Sequence, residues 1–109
     1  DYLPTQRNRQ TGEVTIESKP LDVNGKVGIF FDDIISSGGT VMKGVAHAKK
    51  LGAARIYVAC VHPLLMGDAE TNIMKSGADG LVCTDSVPSP VSIVSVAPAV
   101  AEALRKWEA

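Results

Sequence analysis

Polar and apolar residues alternate over Glu13-Val14-Thr15-Ile16-Glu17-Ser18, the pattern of a half-exposed strand. Pro20 to Gly25 then reads as a turn with Asn24-Gly25 at its tip. Lys26 to Phe31 is apolar at nearly every position and predicts a buried, central strand. From Thr40 to Leu51 the period changes to that of a helix, with Val41, Val45, Ala48 and Leu51 on one face and Gly52 as its stop. Arg55 to Cys60 is the next buried strand. Asp68 to Ser76 is a short helix ended by Gly77, with Ala69, Ile73 and Met74 inward, and Gly80 to Cys83 a short strand. Val91 to Ser95 is a strand or extended segment between prolines, and Pro98 opens a last helix through Trp107. Strands alternating with helices predict an α/β fold, a parallel sheet with helices on both faces in three layers. Ser86-Val87-Pro88-Ser89-Pro90 is the only linker-like stretch.

The chemistry concentrates where the first long strand ends. Asp32 and Asp33 follow the apolar run directly, and Ser36-Ser37-Gly38-Gly39-Thr40 leads into the helix. Ligands of open α/β sheets bind at the carboxyl ends of the strands. The turn and helix start offer backbone N–H groups and hydroxyls to a phosphate. The carboxylates can accept hydrogen bonds from sugar hydroxyls or face a metal held by the ligand. The plainer alternative is an ordinary strand-to-helix turn with Asp33 or Ser36 as a cap. No lysine occurs between Lys26 and Lys43, which excludes a Walker A loop, and the G-x-G-x-x-G dinucleotide fingerprint is absent.

Phe31 to Thr40 resembles the phosphoribosyl-diphosphate (PRPP) motif shared by type I phosphoribosyltransferases and ribose-phosphate pyrophosphokinases. Val58-Ala59-Cys60-Val61-His62-Pro63-Leu64-Leu65-Met66-Gly67-Asp68-Ala69 is similar to the strand-to-loop segment of the pyrophosphokinases, the archaeal kind in particular. Val91 to Pro98 and the following helix are similar to their C-terminus. The resemblance covers essentially all 109 residues and matches the second of the family's two tandem domains. It implies a type I phosphoribosyltransferase-like fold with an N-terminal edge strand or flap, and a fragment that lacks the N-terminal domain.

In function, the resemblance implies transfer of diphosphate from ATP to ribose 5-phosphate with Mg²⁺, giving PRPP and AMP. Asp32 and Asp33 would bind the ribose hydroxyls. Ser36, Ser37, Gly38, Gly39 and Thr40 would cradle the 5-phosphate. The family's flexible loop falls in residues 1–12, where Tyr2-Leu3 sets the register. Arg7 then takes the position of its catalytic arginine, with Arg9 the other candidate, and Thr5 stands where the family has lysine. A non-catalytic phosphosugar-binding relative and a stand-alone phosphoribosyltransferase are the rival readings. Family members assemble as homo-oligomers, so that assembly is expected here too.

Composition narrows the field further. One domain is expected for 109 residues, 45% of them hydrophobic. A formal charge of −1 gives no general attraction to nucleic acid or to a membrane surface. No apolar run approaches the roughly 20 residues of a membrane span. Cys60 and Cys83 sit at the ends of buried strands and read as free thiols in a reducing cytoplasm. Cys60-x-His62 alone is too small a set to assign a metal site. His62 follows a strand and either binds substrate or shapes the loop; Asp68 and Asp85 read as caps. Leu64, Leu65 and Met66 read as core or subunit contact, and Trp107 as a packing residue.

Overall fold

The computed structural model describes residues 22–108 with their side chains, and residues 5–7 and 14–16 by their backbone. In chain order the elements are β1 (Thr5–Arg7), β2 (Val14–Ile16), β3 (Val27–Ile35), α1 (Gly39–Lys50), β4 (Arg55–Pro63), α2 (Ala69–Lys75), β5 (Gly80–Thr84), β6 (Ser92–Val94) and α3 (Ala97–Glu108). β1 and β2 pair antiparallel as a two-stranded flap, and β2 lies beside α1. The other four strands form a parallel sheet in the order β3-β4-β5-β6. The expected α/β class and the parallel sheet are both present.

Each step across this sheet runs in the same direction, and right-handed crossovers put successive helices on the same face. One core cluster accordingly joins Val41, Val45 and Ala48 of α1 and Ile73 of α2 to Ile56, Val58 and Cys60 of β4 and to Leu81 and Cys83 of β5. The register sets Phe30 beside Val58, Val58 beside Leu81, and Cys60 beside Cys83. Gly44 lets α1 approach β3 closely, since a Cβ there would lie 2.6 Å from Cε1 of Phe30. Both cysteines are free and buried in this layer. Burial pushes the Cys60 thiol up, and burial with the neighbouring Cys60 pushes Cys83 up to about 11.

Four sequence expectations need correction. β3 is an edge strand of the described sheet, not its centre. Among the described residues it is covered on one side only, with Ile29 and Phe31 70% and 73% exposed. An unbroken apolar run carries no alternation from which a one-sided strand could be told apart from a buried one. Met74 is 41% exposed, because α2 turns only Ala69 and Ile73 into the core. Trp107 is 84% exposed, and α3 has no buried residue among those described. Leu64 and Met66 are also exposed, whereas Leu65 packs against the core. No helix of the described residues is long and apolar enough to cross a membrane.

This one-sided core makes opposite forecasts for two isoleucines. Ile56→Ala removes a fully buried side chain and is expected to cost about 2–5 kcal/mol of unfolding free energy. Ile29→Ala, on the open face, should stay within about 0.5 kcal/mol; urea midpoints measure both. Cys60 and Cys83 should resist a disulfide reagent at pH 8 in the native chain and react when it is unfolded, because buried thiols with raised pKa hold little thiolate.

Candidate functional site

β3 runs beyond its apolar run and carries Asp32 and Asp33 within the strand, with Ile35 anchoring its end in the core. Asp32 is half-buried and Asp33 exposed. The backbone N–H of Asp33 donates to Oδ1 of Asp32 at 2.8 Å, and that of Ile34 donates to Oδ1 of Asp33 at 2.8 Å. The acids therefore satisfy backbone groups near the end of an edge strand. Burial raises the Asp32 carboxyl above its ordinary value, and its hydrogen bond to the Asp33 carboxyl raises it further. Asp33 is lowered by that same bond, then by the Ile34 N–H, with a smaller contribution from the nearby His62 ring. The two adjacent acids are thus shifted in opposite directions, Asp32 upward and Asp33 downward.

Beyond Ile35 the chain turns through Ser36 and Ser37, both exposed, to Gly38. Gly38 has φ +82° and forms the N-cap of α1. Its side-chain position is filled from below, because an added Cβ would lie 3.2 Å from Cγ1 and Cδ1 of Ile73. No side chain caps α1, and no acid lies in its first turn. Neither Asp33 nor Ser36 therefore serves as the cap that a plain strand-to-helix turn would use. Among the described residues the N-terminal N–H groups of α1 have no side-chain acceptor, which suits them to an anion. Gly39 and Thr40 open the helix, both half-buried.

The loop after β4 is tied to this turn. Leu65 N–H donates to the Ile35 carbonyl at 3.0 Å, and Met66 N–H donates to the Ser36 carbonyl at 2.8 Å. Leu65 takes φ +48°, a left-handed conformation rare for a branched side chain. His62 lies beside Ile34 in the sheet register, so it shares the ligand edge with the two acids. Its Nδ1 is 2.8 Å from Oγ of Ser86, a residue that reads from sequence as linker. Asp85 acts as a cap, its Oδ1 accepting from the Val96 N–H before α3 at 2.9 Å. Asp68 sits at the N-cap of α2 but makes no side-chain cap bond.

Asp32, Asp33, Ser36, Ser37, Gly38, Gly39, Thr40 and His62 therefore share one edge of the sheet. Thr5 and Arg7 belong to β1, whose side chains are not among those described, and Arg9 lies outside the described residues. A cleft of about 280 Å³ opens nearby between Pro63–Thr71 and Val87–Pro90, and neither the acids nor the serine-glycine turn lines it. The candidate site is thus an open edge separate from that cleft.

The family model described as the phosphoribosyl synthetase-associated domain matches residues 1–106. The chain is 41% identical over 106 residues to a ribose-phosphate pyrophosphokinase of Methanopyrus kandleri, covering 96% of this chain and 36% of that protein. It is 37% identical over 107 residues to one of Methanosarcina acetivorans, covering 97% of this chain and 38% of the relative. The crystal structure of phosphoribosylpyrophosphate synthetase from Mycobacterium smegmatis superposes with a TM-score of 0.67 at 26% identity, over 94% of this chain and 35% of that one. The chain thus spans little more than a third of these relatives' length. The motif after β3, the parallel sheet and these relatives agree, and the chain belongs to the phosphoribosyl synthetase-associated domain family.

Proposed function

We propose that this chain is the ribose 5-phosphate-binding part of a ribose-phosphate pyrophosphokinase. The observation that carries the reading is the end of β3. Two carboxylates near the strand end are followed, through a Ser36-Ser37-Gly38 turn, by a helix whose N-terminus has a left-handed glycine at its cap position and no side-chain cap. An anion at that helix start would occupy the acceptor position that no side chain fills. Sugar hydroxyls reaching back along the strand would donate to Asp32 and Asp33.

In the whole enzyme the 1-hydroxyl oxygen of ribose 5-phosphate would attack the β-phosphorus of ATP. The bond to the α-phosphate oxygen would break, and AMP would leave. The carboxylates are hard oxygen donors of the kind Mg²⁺ takes, and that ion would neutralise charge on the transferring group. This chain's own share is to bind and orient the acceptor sugar. By the family resemblance, Arg7 would supply the cation for the transferring group, with Arg9 the other candidate. Thr5, where the resembling loop has lysine, favours a second reading, a phosphosugar-binding relative that does not catalyse.

Calorimetric titration with ribose 5-phosphate tests the shared part of both readings. Saturable binding is expected, weakened about 10- to 100-fold by Asp32→Asn, as for loss of a hydrogen bond to a charged group. A folded chain that shows no binding at millimolar ligand would sink the proposal. The turn makes a separate demand. Gly38→Ala should cost about 1–2 kcal/mol of stability, because a Cβ must adopt a left-handed conformation and meet Ile73. Gly39→Ala, where the nearest atom is 3.9 Å away, should be tolerated in urea unfolding. Equal losses at the two positions would contradict this account of the turn.

A further inference from the structure

The hydrogen bonds around His62 leave one arrangement of protons. Ser86 Oγ lies 2.9 Å from the carbonyl oxygen of Val61, and Thr84 Oγ1 lies 2.6 Å from the same oxygen. A carbonyl only accepts, so both hydroxyls donate to it. Thr84 Oγ1 in turn accepts from the Ser86 N–H at 3.1 Å. The single proton of Ser86 is thereby committed to Val61. With that proton donated to Val61, Oγ accepts from the ring nitrogen 2.8 Å away, and this arrangement places a hydrogen on Nδ1 of His62. Nε2 has no hydrogen-bond partner among the described residues.

Ser86 follows β5 and sits on the β5 side of the ring. The two ring nitrogens face different edges of the imidazole, so Nε2 is turned away from Ser86. His62 neighbours Ile34 in the register, and its ring is close enough to act on the Asp33 carboxyl. A neutral imidazole fixed as Nδ1–H presents a lone pair at Nε2, which accepts a hydrogen bond from a hydroxyl. An imidazole free to choose its tautomer would spend part of its time presenting a donor instead.

We propose that Ser86, locked onto the Val61 carbonyl, is a positioning residue that holds His62 in the Nδ1–H form so that Nε2 accepts a hydrogen bond from a hydroxyl of the bound sugar. The ligand half of this inference rests on the phosphosugar reading above. The proton arrangement stands on the hydrogen bonds alone.

Long-range proton–nitrogen NMR of the imidazole rings tests both halves, with His62→Gln assigning the His62 signals against those of His47. In the neutral range, His62 should show a protonated Nδ1 and a bare Nε2. Ser86→Ala should redistribute the proton toward Nε2, and Ser86→Thr, which keeps the hydroxyl, should restore the original pattern. Ribose 5-phosphate should then move the Nε2 signal in the direction of an accepted hydrogen bond. Its affinity should fall about 2- to 10-fold in Ser86→Ala and recover in Ser86→Thr, the range of one neutral hydrogen bond. A wild-type ring protonated on Nε2, or a tautomer that Ser86→Ala leaves unchanged, overturns the inference. Asp32-dependent binding that leaves Nε2 unmoved overturns its ligand half while the phosphosugar reading survives. A complete lack of binding overturns that reading and the ligand half together.

Discussion

The lack of room for a side chain between Gly38 and Ile73 sets the form of the turn from β3 into α1. A glycine at φ +82° lets the chain leave β3, drop onto α2 and start α1 within a few residues. A side chain at that position would have to displace a residue that is wholly inside the core. The neighbouring loop reinforces the arrangement through two backbone bonds, from Leu65 to Ile35 and from Met66 to Ser36. The outcome is a helix start presented at the strand end with its N–H groups left without side-chain acceptors.

The two acids fit the same economy of backbone partners. Near the end of an edge strand, the carboxylates of Asp32 and Asp33 accept from the backbone N–H groups of Asp33 and Ile34. That local bonding also restrains the carboxylates and separates their proton affinities. Structural and binding roles are therefore compatible in the same pair. A carboxylate has more acceptor sites than one backbone N–H consumes.

Much of this was legible in the sequence because it is local. The strand-turn-helix succession from Val27 to Lys50, the inward face of α1 and the paired acids all lie within one short stretch. What sequence reading missed depends on partners distant in the chain. The apolar run of β3 suggested a central strand, yet its place in the sheet is set by which strands flank it. The spacing in α2 marks an apolar side but not what covers it, so Met74, which reads as inward, stands outside, as does Trp107, which reads as a packing residue. Ser86 looked like linker because its partner, His62, lies 24 residues earlier and meets it only when β4 and β5 pair.

The single-sided core has a consequence for how such a protein can change. Ile73, Leu65 and Val41 belong to or pack on one cluster, and it is this layer that supports Gly38 and the helix start. Ile29 and Phe31 point the other way. Substitutions on that reverse side can alter what the sheet associates with while the turn keeps its shape. The residues that shape the turn and those on the open face are thus different sets, free to vary separately in sequence.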